Sequence, residues 1–235
     1  MAGTALLAGA ACSDAPATAP DHTEPSAAAI APTLDDALAR AVAIETGTCG
    51  AANPADGTGI ALGTDVVLTA AHVVASGGPI TIRSTDGERE ADVAAYDPRR
   101  DLALLTPRPP LTAVPPPPPM LDLAEGQAGT IALAAGSVPA SVVTVTIVEI
   151  DDVRATTRSR RRGYIVDART VPGNSGAGFY DDHGRLAGVV FAVSSEDADR
   201  SWVTAASEVD AFLSDTATRG SFRCDPEASR LAPAR

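Results

Sequence analysis

The chain has no lysine. Its 18 basic residues are all arginines, set against 30 Asp and Glu, for a net charge of −12. So acidic a surface repels phosphates, which excludes nucleic acid as the main partner. Aromatic residues are scarce too, at 3%, so Val, Ile, Leu and Ala must do most of the packing. A hydrophobic share of 45% over 235 residues still suffices for one sizeable domain with tails. No run of about 18 apolar residues occurs, so no complete transmembrane helix is present. Phosphate-cradling loops and Cys/His metal patterns are missing as well, and neither cofactor nor metal is expected.

What is there begins with a shift of composition. Residues 1–32 are rich in Ala, Pro, Thr and Ser and read as a signal remnant with a disordered tether. An apolar run over residues 5–11 ends at Cys12, similar to the close of a bacterial lipoprotein signal, in which the cysteine is lipidated. Cleavage without lipid, or an untranslocated tail, are the other readings. Membrane contact is expected only through such a lipid, with the folded part in the periplasm or cell envelope.

Thr33 can cap a short helix over 34–38. Short apolar runs rich in Val, Ile and Thr follow, broken by Gly, Pro, Asp and Asn. They predict strands at 40–45, 59–62, 66–69, 79–83, 88–96, 102–105, 130–134, 142–150, 164–168, 178–180, 186–193 and 202–204. Many short strands with turn signals between them argue an all-β sandwich or barrel. One late helix is predicted over 206–213, with Val209, Phe212 and Leu213 on one side. Proline dominates 107–119 and cannot pair in a central strand. It divides the strands into halves of about 40–106 and 120–205, as a polyproline II connector or, less simply, a docking ligand. The basic cluster 158–162 reads as a solvated loop, with anion binding as the sharper alternative.

Three segments carry chemistry. Val66 to Val74 is an apolar strand running through Thr69-Ala70-Ala71 into His72, which sets an imidazole at a strand end. Asp101 heads the apolar Leu102 to Leu105. Ser175 lies in the glycine-rich turn Pro172-Gly173-Asn174-Ser175-Gly176-Ala177-Gly178. A serine hydroxyl is a poor nucleophile at neutral pH and needs a neutral imidazole to take its proton. The imidazole needs a carboxylate to fix its tautomer, and the tetrahedral intermediate needs preorganised N–H donors for its oxyanion. Glycines before Ser175 let the N–H groups of Gly173, Asn174 and Ser175 turn toward one spot. Asp97, ahead of Pro98, competes with Asp101 but sits in a turn. A metal at Asp181, Asp182 and His183 is less natural than an exposed hairpin turn, and His22 and His183 read as surface residues.

LTAAHV, DLALL and PGNSGAG, in that order, resemble the chymotrypsin/trypsin-like serine peptidase family over about residues 40–215. The resemblance implies two perpendicular six-stranded β-barrels with a short C-terminal helix, within a peptidase domain of 33–224 and a tail of 225–235. His72 and Asp101 would come from the first barrel and Ser175 from the second. Protein or peptide substrates follow, with no cofactor; oligomeric state does not. The chain looks most like bacterial periplasmic members, HtrA-like and actinobacterial membrane-anchored acid-resistance proteases, through Gly-Asn-Ser-Gly and through Val203 to Val209. No PDZ domain is expected after the peptidase region. Asn174 cannot form the ion pair that digestive relatives make with a new N-terminus, so that mode of activation is not expected.

A specificity pocket would draw on Arg169 and Thr170 before the nucleophile and on Phe191 and Ser194 opposite. An inward Arg169 would favour acidic substrate side chains, with a solvent-facing one as the blander reading; bulk at Phe191 would narrow the pocket, and a small apolar side chain is expected at the cleavage site. Ala177-Gly178 replaces the usual Gly-Pro. An export-like N-terminus favours a Cys49–Cys224 disulfide over two free thiols, worth about 4 kcal/mol in the chain-entropy model. Two other readings of the fold stay in view: a catalytically silent module that binds peptides, and an esterase, which would need a strand–elbow–helix context.

Overall fold

The computed structural model describes residues 32–49, 54–151 and 158–215. Thr33 opens helix α1 (Leu34–Ala39) with a capping box. Its hydroxyl accepts from the Asp36 N–H, and the Asp36 carboxylate accepts from the Thr33 N–H. Twelve strands follow: β1 (Ala41–Thr46), β2 (Ala55–Ala61), β3 (Val67–Ala70), β4 (Ile80–Ser84), β5 (Gly87–Asp97), β6 (Leu102–Arg108), β7 (Ala128–Leu133), β8 (Gly136–Asp151), β9 (Arg158–Val166), β10 (Gly178–Tyr180), β11 (Leu186–Val193) and β12 (Ser201–Ala205). Helix α2 (Ala206–Ser214) ends the described chain.

The first six strands close into a barrel in the order β1-β2-β3-β6-β5-β4, and the last six repeat that order as β7-β8-β9-β12-β11-β10. Each barrel has its own apolar interior. Val42, Ile44, Val67, Ile82 and Leu105 fill the first; Ile131, Tyr164, Phe179 and Val203 fill the second. A third cluster joins the two barrels to the helices: Ile60, Leu68 and Leu102 meet Leu186 and Val189, with Val209 and Phe212 of α2. Strand β1 alternates half-buried and buried positions, the period of two that a barrel wall requires.

The connector is not loosely slung. Arg40 is buried and donates to the Pro115 carbonyl at 3.1 Å and to the Pro116 carbonyl. The Leu186 N–H donates to the Pro119 carbonyl at 2.8 Å, and the Leu121 N–H to the Leu186 carbonyl at 3.0 Å. Pro107 itself lies in β6, opposite Ala91 of β5. Pairing of β6 with β3 ends at Leu105, so the missing N–H of Pro107 falls where the strand has one neighbour.

One element differs clearly from the sequence reading. The cluster 158–162 is not a loop: β9 starts at Arg158 and pairs along β8 through Glu149↔Arg160 and Val148↔Arg161. Alternation then splits the arginines. Arg160 and Arg162 reach outward to Glu149 (3.3 Å) and Asp122 (3.1 Å), whereas Arg161 is buried. Among the described residues no helix is long and apolar enough to cross a membrane. Cys12, Cys224 and the tail 225–235 lie outside the described residues; Cys49 is buried.

Candidate active site

His72 sits in a 3-10 turn, Ala71–Val74, directly after β3. Asp101 holds that turn at three points. Its carbonyl accepts from the Ala71 N–H (3.0 Å), its Oδ1 from the His72 N–H (2.9 Å), and its Oδ2 lies 2.8 Å from His72 Nδ1. A carboxylate only accepts, so the proton is on Nδ1 and the neutral ring keeps its lone pair on Nε2. The Asp101 side chain is 8% exposed and that of His72 31%, so the imidazole is reached from outside while its partner is not. The backbone of Asp101 has φ +54°, a left-handed conformation that costs a non-glycine residue on the order of 1 kcal/mol. Asp97, the competing carboxylate, shapes this turn instead. Its Oδ1 accepts from the N–H groups of Arg99 and Arg100, and its Oδ2 from Arg100 Nη1 at 2.6 Å.

Ser175 lies between β9 and β10, the connection that matches the one bearing His72. Gly173 and Gly176 take φ +95° and +91° there. A Cβ on Gly176 would overlap the Thr58 carbonyl oxygen and the Thr69 hydroxyl, so only glycine fits. The turn is closed by Gly176 N–H to Val190 O (2.7 Å), Ala177 N–H to Asn174 O (3.1 Å) and Val171 N–H to Asn174 Oδ1 (2.9 Å). Asn174's own N–H is taken up by Val171 O at 3.0 Å, which removes it as an oxyanion donor. Among the described residues the N–H groups of Gly173 and Ser175 have no acceptor. The Ala177-Gly178 departure is accommodated: Ala177 is fully buried, and the Tyr180 ring occupies the space beside Gly178. The Ser175 hydroxyl donates to the Phe191 carbonyl at 3.4 Å, and no hydrogen bond joins it to the His72 ring.

Two threonines that no local sequence signal marks hold this loop from the first barrel. Thr58 N–H donates to the Ser175 carbonyl and Thr58 Oγ1 to the Gly173 carbonyl, both at 2.8 Å. Thr69 Oγ1 in turn donates to the Thr58 carbonyl at 2.7 Å. With the Gly173 and Ser175 carbonyls so engaged, the N–H groups of these same two residues remain without an acceptor among the described residues. The first barrel thus carries a His held by a carboxylate, and the second a Ser beside unpaired N–H donors, with Thr58 tying the Ser loop to the first barrel.

The description "Trypsin-like peptidase domain" matches residues 57–189, more than half of the chain. The chain belongs to the trypsin-like peptidase family. The serine protease Rv3671c of Mycobacterium tuberculosis is 30% identical over 159 residues, 66% of this chain. The chain spans only 40% of the length of that relative. The crystal structure of the active form of the Rv3671c protease superposes with a TM-score of 0.70 at 28% identity, covering 82% of this chain and 86% of that one. The HtrA-type protease AlgW with tripeptide gives a TM-score of 0.61 at 20% identity over 80% of this chain and 65% of its own, a likeness of fold.

In this trypsin-like peptidase domain the expected pocket residues divide. Arg169 faces solvent, its side chain 70% exposed and its Nη1 4.0 Å from Asp199, so it does not point inward. Thr170 is buried, and its hydroxyl lies 2.8 Å from that of Ser201, which donates to the Ala168 carbonyl. Ser194 caps its own turn by accepting from the N–H groups of Glu196 and Asp197. Phe191 is buried and lies on a groove of about 470 Å³ of mixed lining, with Ile147, Val193 and Trp202 beside Thr146, Glu149 and Ser195. Trp202, which the sequence suggests is core, is half-buried on that groove. His183 and Asp182 are exposed while Asp181 is buried, and among the described residues no group of three metal-binding side chains occurs.

Arg161 is the remaining residue that sequence reasoning missed. Its guanidinium lies 4.1 Å over the Phe191 ring centroid, with Nη2 3.8 Å from Asp101 Oδ2. Burial pulls it down to about 10, against the opposing charges of Asp101, Glu208 and Asp97. Strand alternation is the signal that finds it, once 158–162 is read as a strand.

Proposed function

We propose that this chain is a serine endopeptidase in which Ser175 attacks the scissile carbonyl, His72 Nε2 takes the hydroxyl proton, and Asp101 fixes the imidazole and stabilises the imidazolium. The N–H groups of Gly173 and Ser175 stabilise the oxyanion of the tetrahedral intermediate. Collapse to an acyl-enzyme releases the amine, to which His72 returns the proton; water then completes hydrolysis by the same route. The observation that carries this reading is the hold of Asp101 on the Ala71–His72 turn, through the Ala71 N–H, the His72 N–H and His72 Nδ1, which leaves Nε2 as the free base. The outward Arg169 takes away any preference for acidic side chains in the peptide.

The same reading sets the domain outside the cytoplasm, tethered through residues 1–32 and a lipid on Cys12, with Cys49 bridged to Cys224. Such a bridge forms and persists in an oxidising compartment. A second reading, a silent peptide-binding module, is favoured by one observation: the Ser175 hydroxyl turns to the Phe191 carbonyl rather than to His72. Catalytic hydrogen bonds are often formed only with substrate in place, so this does not exclude chemistry. Fluorophosphonate labelling of the purified chain, with the adduct located by mass spectrometry, separates the two. Modification at Ser175, lost in Ser175→Ala, is the expected result. No adduct, or equal labelling of the variant, leaves the binding module.

A further inference from the structure

The hydrolytic steps above make no use of Arg161, yet it is the charged side chain packed most deeply against the site. It is 2% exposed, and its Nη1 makes only a long hydrogen bond, 3.4 Å, to the Arg99 carbonyl. Its Nε and Nη2 have no hydrogen-bond partner among the described residues. A buried cation with unfilled donors is costly, and an apolar side chain would pack the same space without that cost. Its nearest countercharge is Asp101 Oδ2 at 3.8 Å, the same oxygen that lies 2.8 Å from His72 Nδ1. Phe191 is its other contact, and the Phe191 carbonyl accepts from the Ser175 hydroxyl.

Asp101 Oδ2 therefore faces two groups, the His72 imidazole at 2.8 Å and the Arg161 guanidinium at 3.8 Å. A buried carboxylate without a neighbouring cation would pull a proton onto His72, and a protonated imidazole cannot accept one from Ser175. A fixed cation beside that oxygen opposes the pull and favours the ionised carboxylate. The other charges around Arg161 do not replace it. Asp97 at the end of β5 and Glu208 of α2 are both acidic and both held by Arg100, at 2.6 and 3.3 Å. Arg160 and Arg162, its neighbours on β9, face outward to Glu149 and Asp122.

We propose that Arg161 is a positioning residue for the His72–Asp101 pair, holding the carboxylate ionised and His72 available as a base at lower pH than the pair alone would allow. The inference rests on the peptidase reading for its purpose, but its electrostatics can be read without turnover.

The test uses the full chain and two readouts, the NMR titration of the His72 ring and the pH profile of kcat/KM. In Arg161→Gln and Arg161→Met the titration midpoint and the acid limb are both expected to move up by about one pH unit, with kcat/KM at neutral pH down about threefold and KM within about twofold. Arg161→Lys keeps the charge and is expected to hold the midpoint within about 0.3 unit of wild type. A folded Gln or Met variant with an unmoved midpoint overturns the proposal, as does a fall in kcat with an unchanged pH profile. If neither neutral variant folds, Lys decides: a midpoint displaced by about a unit with the charge retained means that shape rather than charge matters, and the proposal is lost. Failure of wild type to label at Ser175 would sink the peptidase reading, while the titration would still decide this one.

Discussion

The two barrels share one strand order and use the same connection, third strand to fourth, for opposite purposes. In the first barrel that connection is a single 3-10 turn whose backbone and ring are bonded to a carboxylate from the same barrel. In the second it is a long glycine-containing loop whose useful N–H groups must stay unpaired. Such a loop cannot be stabilised through those groups, so its carbonyls are gripped instead, from the other barrel, by Thr58. Under the proposed mechanism the base is positioned by its own barrel, whereas the oxyanion site is held by its own barrel through Val190 and also propped from the other through Thr58.

The largest test of that contrast removes the reacting groups. Ser175→Ala and His72→Ala are each expected to lower kcat by on the order of 10⁵ to 10⁶, and Asp101→Asn by about 10⁴, in peptide hydrolysis assays. Next comes the loop's fit. Gly176→Ala sets a Cβ against the Thr58 carbonyl in a left-handed backbone, and should cost at least about 3 kcal/mol in denaturant unfolding or prevent folding. Thr58→Val keeps the N–H bond to Ser175 but deletes the hydroxyl bond to Gly173. About a tenfold loss in kcat with little change in KM would show that the prop serves the oxyanion site; a change in KM alone would count against it.

A smaller effect concerns the hairpin at Asp181. Burial pushes its carboxyl up, but Arg185 and the N–H groups of Arg185 and His183 outweigh that and hold it below the usual carboxylate range. Its contribution to stability is therefore full above the unfolded carboxylate pKa and is lost as pH falls through the lowered folded value. Asp181→Asn should flatten the acid side of a melting-temperature curve; a curve parallel to wild type would contradict it. Smallest of all, Arg160→Ala breaks an exposed pair with Glu149 and should change unfolding free energy by less than about 0.5 kcal/mol.

Much of this was legible in the sequence. LTAAHV, DLALL and PGNSGAG carry their chemistry in residue type and order, and the Val/Ile/Thr runs with Gly and Pro breaks gave twelve strands close to those observed. What stayed hidden depends on the other barrel. Thr58 and Thr69 look like ordinary strand residues, because nothing local says that a loop over 100 residues later will lie on them. Arg161 was hidden by its neighbours: a run of arginines reads as solvated until strand pairing turns every second one inward. The inward option for Arg169 failed for a plainer reason, since a spacing fixes a position along the chain but not the side on which a long side chain leaves it.

The grip of Arg40 on the proline connector has a mechanical consequence. Carbonyls are all that a run of prolines offers to a donor, and one buried guanidinium takes two of them. The segment between the barrels is thereby a strut rather than a hinge. Pulled from its ends, the domain should yield in one rupture, because neither half can swing away while Arg40 holds the bar that links them.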